Sequence, residues 1–233
     1  MDEIKILVVD DDREIADLVE IHLVGDGYTV FKAYNAKDGL KILEEEEIKL
    51  AILDIMMPDM DGISMCKTIR ETNSIPIIML SAKSTDLDKI VGLSVGADDY
   101  VIKPFNPLEL TARVKSQLRR YTTFNPNAGT QQAAKEIHLE NLIINKENHK
   151  VVSYEREVKL TPIEFDILYL LASNIGKVFS TEEIFQQVWN EKMYEANNTV
   201  MVHIRRLREK IELDSRNAMI IKTVWGVGYK IEK

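Results

Sequence analysis

Residues 1–120 alternate short apolar runs with amphipathic stretches, and that alternation leaves few folds open. The apolar runs are Ile4–Val9, Tyr28–Ala33, Leu50–Leu53, Pro76–Leu80 and Tyr100–Ile102. Their length and β-branched content suit strands buried on both faces. Helical patterns lie between them, near residues 12–24, 36–46, 61–71, 86–95 and 107–120. Ile15, Leu18, Val19, His22 and Leu23 share one face at helical spacing. Five β-α units in succession predict an α/β domain with a doubly wound, five-stranded parallel sheet of the flavodoxin-like kind and helices on both faces.

The pattern ends near residue 121, so a first domain is expected over 1–121. Residues 122–136 (TTFNPNAGTQQAAKE) are small and polar, contain Asn-Pro and Ala-Gly, and read as a linker. A second domain is expected over 137–233. It starts with strand-like pieces around 137–145 and 149–160. Three helical stretches follow, Pro162–Ser173, Thr181–Trp189 and Asn197–Ile211. Thr161-Pro162 is a helix start, with Thr as cap and Pro at the first helical position. Apolar runs on both sides of Trp225-Gly226, within Met219–Glu232, read as a closing hairpin. Strands, three helices and a hairpin make a winged helix-turn-helix pattern.

Composition excludes several classes. The chain has no run of 18 apolar residues, so no transmembrane helix is expected, and Met1-Asp2-Glu3 has the wrong charge for a secretory signal. The single cysteine, Cys66, excludes an internal disulfide framework or a cysteine-rich zinc site and fits a reducing cytoplasm. The net charge of −8 is uneven: residues 1–121 hold 15 Lys and Arg against 23 Asp and Glu, and residues 122–233 hold 15 of each. Within the neutral half, residues 196–211 carry Arg205, Arg206, Arg208 and Lys210 against Glu209 alone. A local basic stripe, not the total, decides whether DNA is a plausible partner.

In open α/β sheets, function collects at the carboxyl ends of strands. Here those ends carry Asp10-Asp11-Asp12, Asp54, Ser81 and Lys103-Pro104. Singly, each has an ordinary explanation: Asp12 or Ser81 as a helix cap, Asp54 as a turn residue, Lys103 as a surface charge. Together they converge. Carboxylates of Asp10, Asp11 and Asp54 on one edge repel unless a cation sits among them or one is protonated. An oxygen-only set favours Mg²⁺, and a free aspartate beside such an ion is placed to attack a phosphoryl group. Ser81 and Lys103 would then stabilise the transferred oxygens. An aspartyl-phosphate phosphatase would want a second acid two residues after Asp54, and Met56 stands there. A nucleotide-binding domain would want a Gly-rich turn after the first strand, and Asp10-Asp11-Asp12 puts charge of the wrong sign there.

The segments ILVVDDD (6–12), LAILDIMMPDMDG (50–62), PIIMLSA (76–82) and GADDYVIKPFNPLEL (96–110) resemble the receiver domains of two-component response regulators. The resemblance spans residues 3–121. It implies that Asp54 accepts a phosphoryl group from a sensor histidine kinase. Asp10, Asp11, Asp54 and the main-chain carbonyl of Met56 would hold Mg²⁺. Ser81, Lys103 and Tyr100 would read the new charge, Ser81 swinging toward it and Tyr100 turning inward behind it. In the OmpR/PhoB-like subfamily the implied homodimer on phosphorylation pairs Lys89 with Glu109, Asp99 with Arg113, and Asp98 with Arg120 across subunits; the alternative for these charges is a solvated face.

In NNTVMVHIRRLREKI (197–211), Val200, Ile204, Leu207 and Ile211 share a core face. The opposite face is expected to present Asn198, Thr199, Val202, His203, Arg206 and Lys210 to base edges. Arg205 and Arg208, flanking it, suit phosphates. The segments 160–189, 197–211 and 221–233 resemble the OmpR/PhoB winged-helix effector domain. That resemblance implies double-stranded promoter DNA as partner, Thr223 and Trp225 of the wing near the backbone or minor groove, and RNA polymerase at the loop 190–196. Trp225 stands where relatives often carry Arg. EIADLVE (14–20), PLELTARVKSQLRRY (107–121), NNTVMVHIRRLREK (197–210) and IKTVWGVGYKIEK (221–233) look like the VanR branch, whose members control glycopeptide-resistance genes. A transcription regulator rather than an enzyme is expected; regulation of DNA binding without phosphorylation is the alternative.

Overall fold

The computed structural model describes residues 4–82, 95–123, 136–189 and 199–232. The chain divides into two compact units, Met1–Tyr121 and Thr122–Lys233. The helical pattern expected near 86–95 falls almost wholly outside the described residues.

The first unit runs β1 (Lys5–Val9), α1 (Arg13–Gly25), β2 (Thr29–Ala33), α2 (Ala36–Glu45), β3 (Ile48–Asp54), α3 (Gly62–Thr72), β4 (Ile77–Ser81), β5 (Asp99–Ile102) and α4 (Pro107–Thr123). All pairings in its sheet are parallel, in the order β2-β1-β3-β4-β5. The strands are apolar nearly throughout because helices cover both faces; Ile6, Val8, Leu50, Ile52, Ile78 and Leu80 pack with Val19, Leu23, Val114 and Leu118 in one core. Each of the first three helices starts on a polar cap: Asp12 accepts from the Glu14 and Ile15 N–H groups, Asn35 from Asp38, and Asp61 from Ser64. The strand order reverses between β1 and β3, and ligands of such sheets bind in the crevice beyond those strand ends.

The second unit begins with an antiparallel sheet of β6 (Glu136–Leu139), β7 (Leu142–Asn145), β8 (Lys150–Ser153) and β9 (Arg156–Val158). The sequence suggested two strand-like pieces; there are four strands joined by tight turns. Tyr154 and Glu155 turn β8 into β9 with φ of 47° and 62°. Such a turn usually announces itself by Asn-Gly, so Tyr-Glu concealed it. Next come α5 (Pro162–Ala172), α6 (Thr181–Trp189), α7 (Thr199–Ile211), a 3₁₀ turn at Ser215–Asn217, and the hairpin β10 (Ile221–Val224) and β11 (Gly228–Ile231). Phe165, Leu168 and Leu171 of α5 pack with Ile184 and Trp189 of α6 and with Val200, Ile204, Leu207 and Ile211 of α7. The core face expected for α7 is therefore the one observed. At Gly228, with φ of 159°, a Cβ would lie 1.9 Å from the Phe179 carbonyl oxygen. Only glycine lets β11 approach closely enough for Phe179 and Tyr229 to exchange N–H···O bonds of 2.9 Å each.

Candidate functional site: a carboxylate cluster and a basic helix

Asp10 follows β1 and Asp54 ends β3, so adjacent parallel strands deliver both carboxylates to the same edge. One carboxylate oxygen from each of Asp10, Asp11 and Asp54 falls within 4.8 Å of the others. Asp10 and Asp54 are buried, whereas Asp11 is exposed and opens the cluster to solvent. Lys103, just beyond β5, reaches across the strand ends: its Nζ lies 2.7 Å from Asp10 Oδ2 and 2.7 Å from Asp54 Oδ1. The Met56 N–H donates to Asp54 Oδ2 at 2.9 Å, and the Asp12 N–H donates to Asp10 Oδ1 at 3.0 Å.

Burial pushes the Asp10 carboxyl above the usual carboxylate range, against the opposing pull of Lys103; the neighbouring Asp54 charge adds to the rise. Burial pushes the Lys103 ammonium down, but its hydrogen bonds to Asp10 and Asp54 outweigh that and hold its pKa above that of an ordinary lysine. Among the described residues the cluster thus carries three carboxylates against one ammonium. An all-oxygen, solvent-open set with excess negative charge is what a hard divalent cation such as Mg²⁺ requires.

The other expected receiver residues are placed as follows. Ser81 ends β4 fully buried, and its carbonyl accepts from the Lys103 N–H at 2.7 Å. Tyr100 is half-buried on β5, paired in register with Met79. Met56 directs its side chain outward. The sequence reading missed Gly62: a Cβ there would lie 2.1 Å from the Asp54 carbonyl oxygen, so the start of α3 rests on the backbone of Asp54. The Asp-Gly pair at 61–62 was its signal, one that reads equally well as a common turn.

Of the residues expected at a dimer face, Asp98 needs correction. Asp98, read as a surface partner for Arg120, is fully buried; its Oδ2 pairs with Arg70 Nη2 at 2.8 Å and accepts from the Ile77 N–H at 2.9 Å. It ties α3 to the head of β4 because the loop before β5 turns it inward. Asp99 and Arg113 are paired, at 3.1 Å, within one chain, and the same Arg113 meets Glu109 at 2.9 Å one helical turn away. Lys89 lies outside the described residues, as does the Arg120 side chain.

The basic helix α7 also departs from expectation. Val202, His203 and Arg206, expected on an open face, are buried with relative exposures of 7%, 0% and 8%. His203 packs on Trp189 of α6, ring centroids 5.5 Å apart. Arg206 Nη2 lies 3.2 Å from Oε1 of Glu164, and Lys210 Nζ donates to Glu164 Oε2 at 2.6 Å. Glu164 is itself fully buried near the start of α5 and accepts from the Thr161 N–H at 2.8 Å. Burial alone would raise its pKa; the charges of Arg206 and Lys210 overcome that and hold it below the usual range. Thr-x-x-Glu at 161–164 is capping-box spacing, which signals the helix start but not the partnership with α7. Helix α7 is enclosed on two sides, so a single core stripe underestimates its burial. Arg205 is exposed and pairs one helical turn away with Glu209 at 3.0 Å. Arg208 donates to the Ile221 carbonyl at 2.7 Å and to Thr223 Oγ1 at 2.8 Å, fastening the hairpin to α7 rather than projecting freely. Thr199 is partly exposed, and Trp225 at the hairpin tip is 90% exposed. Asn198 and the loop 190–196 lie outside the described residues.

Residues 6–115 match the response regulator receiver domain, and residues 155–231 match the C-terminal domain of transcriptional regulatory proteins. The regulatory protein VanR of Enterococcus faecium is 51% identical over 231 residues, 98% of this chain and 99% of that protein. VanRc of Enterococcus gallinarum is 51% identical over 229 residues, 98% and 99% of the two chains. Among solved structures, the response regulator DrrB, a Thermotoga maritima OmpR/PhoB homologue, is 34% identical with a TM-score of 0.52, both chains covered in full. A RitR mutant is 26% identical with a TM-score of 0.75, over 98% and 99% of the chains. No helix among the described residues is long and apolar enough to cross a membrane. With a receiver fold, a carboxylate cluster at its switch point and a following winged-helix unit, this chain belongs to the two-component response regulators of the OmpR/PhoB type, a family of transcription regulators rather than of enzymes.

Proposed function

We propose that Asp54 takes a phosphoryl group from a cognate sensor histidine kinase in the cytoplasm, and that the phosphorylated chain binds promoter DNA as a homodimer. The observation that carries this reading is the position of Asp54, at the end of the central strand between Asp10 and Lys103. A carboxylate oxygen of Asp54 attacks phosphorus, the bond from phosphorus to the donor breaks, and an acyl phosphate forms. Asp10, Asp11, Asp54 and the Met56 carbonyl would hold Mg²⁺. Bound there, Mg²⁺ supplies positive charge to the phosphoryl oxygens. Lys103 neutralises the same oxygens from the other side, and Ser81 donates its hydroxyl to one of them. The added charge of about −1.5 to −2 draws Ser81, and Tyr100 fills the space behind it.

For the dimer, the face of α4 and β5 offers Glu109, Asp99 and Arg113, which would exchange their internal partners for those of a second copy, with Lys89 and Arg120 completing the set. Asp98 is left out of this reading because Arg70 holds it. For DNA, exposed Arg205 suits a phosphate, and Thr199, Lys210, Thr223 and Trp225, all at least partly exposed, would add contacts; Val202 and Arg206 would reach bases, and His203 would support them from within. Arg208 acts by holding the wing. RNA polymerase would meet the loop 190–196. The similarity to VanR proteins supports target genes of the glycopeptide-resistance kind.

Incubation with acetyl phosphate and Mg²⁺ tests the first step. The wild type takes up phosphoryl groups stoichiometrically and Asp54→Ala takes up none; Mg²⁺-dependent labelling of that variant at the wild-type level would overturn the assignment.

A further inference from the structure

Glu164 is a fully buried carboxylate of the second unit, and it gathers two cations of the basic helix α7. It lies 3.2 Å from Arg206 Nη2 and accepts from Lys210 Nζ at 2.6 Å and from the Thr161 N–H at 2.8 Å. The two contacts on the carboxylate differ. Oε2 receives aligned hydrogen bonds from Lys210 and Thr161, whereas Oε1 faces Arg206 as an ion pair without one. The guanidinium is thus held at the carboxylate by charge.

Neighbouring residues on α7 behave differently. Arg205 is 77% exposed at its side chain, and Arg206 is 9% exposed. A guanidinium out in solvent suits a phosphate, which it can meet from many angles. A guanidinium already withdrawn from water has met much of its desolvation cost, which Glu164 offsets, before any base arrives. Fixed orientation is what bidentate pairing with the O6 and N7 acceptors of guanine needs.

We propose that Glu164 is a positioning residue for DNA readout: it aims Arg206 at a guanine edge in the major groove while its own charge is neutralised by Lys210. The inference rests on the reading of Arg206 as a base contact. With two cations against one carboxylate, the group stays net positive and does not repel the duplex. A carboxylate anchored to the first turn of α5 ties the aim of Arg206 to the packing of α5 on α7.

The test uses the full-length protein and a duplex that the wild type selects from a randomised library, compared with a scrambled duplex of the same composition. Glu164→Gln should reduce the ratio of the two affinities about tenfold, the size of one good bidentate contact, with scrambled-duplex affinity nearly unchanged. In an Arg206→Ala background the same change should have no further effect on the ratio. Equal losses on both duplexes, or further loss of the ratio in the double variant, would overturn the proposal. An unchanged ratio in Arg206→Ala alone overturns the base-contact reading itself, while a reduced ratio there with an unchanged one in Glu164→Gln overturns only the positioning role. Should Glu164→Gln fail to fold, NMR of the wild type decides. Slow rotation about the Nε–Cζ bond of Arg206 on the selected duplex is expected; fast rotation there overturns it.

Discussion

Lys103 Nζ sits 2.7 Å from a carboxylate oxygen of Asp54 and, at the same distance, from one of Asp10, bridging strand ends that would otherwise repel. The lysine thus stands in the field where a divalent cation would act, and a bound cation would share with it the neutralisation of one cluster.

Replacing Lys103 by Met should therefore make the receiver unit depend on metal. In chelator the variant should lose about 3 kcal/mol of stability, the usual scale for leaving a buried charge unpaired. Added Mg²⁺ should restore more of that loss than it adds to the wild type, because binding to the native state stabilises by mass action. Chemical denaturation with and without Mg²⁺ measures both; equal Mg²⁺ responses in the two proteins would refute the shared-charge account.

Gly62→Ala tests the contact beneath Asp54. A Cβ 2.1 Å from the Asp54 carbonyl oxygen forces β3 and α3 apart. Overpacking of this kind costs about 1–3 kcal/mol, so the melting temperature should fall. Labelling by acetyl phosphate should fall with it, although no ionisable group has changed. Wild-type labelling would show that the Asp54 geometry tolerates the shift.

Arg70→Ala should destabilise the receiver unit by about 3–5 kcal/mol, since it removes the guanidinium 2.8 Å from the buried carboxylate of Asp98. The readout is unfolding of the unphosphorylated protein at low concentration. A loss seen only in dimerisation, with stability intact, would return Asp98 to the surface role that its position in the sequence suggested.

Acid sensitivity of the winged-helix unit should trace in part to His149. Burial, and then the nearby Lys146 charge, push its pKa from 6.5 down to about 4; its ring packs edge-on to Phe165 with centroids 4.5 Å apart. The folded unit keeps the neutral ring, so between pH 6.5 and 4 the unfolded chain binds the extra proton. Stability contributed by this group is complete above pH 6.5 and is lost as the pH falls toward 4. His149→Asn, which tolerates the local φ of 52° and does not titrate, should flatten the stability profile over that window. An unchanged slope would assign the acid sensitivity to other groups.

Much of the receiver unit was legible from residue order because its rules are local. Continuous apolar runs set the strands and period-3.6 patterns the helices, and parallel β-α order carries Asp10, Asp54, Ser81 and Lys103 to the strand ends whatever the details of packing. The polar cap Asp12 acts within one turn of chain, so it too could be read directly; Asn35 and Asp61 cap their helices in the same way but were not singled out by the sequence. The hairpin around Gly226 and the core stripe of α7 belong to the same class.

Other placements depended on which surface met which. Asp98 and Asp99 are adjacent acids in the sequence, yet Arg70, 28 residues from Asp98, draws it inside, while Asp99 meets Arg113. Arg205 and Arg206 are adjacent arginines; one stays in water, and Glu164, 42 residues before Arg206, withdraws the other. A charged side chain enters a protein interior only where a partner of opposite sign offsets its desolvation. The sequence by itself therefore determined the order of elements and the chemistry at their ends. Tertiary structure alone decided which charges were buried, because the partner that permits burial comes from a different part of the chain.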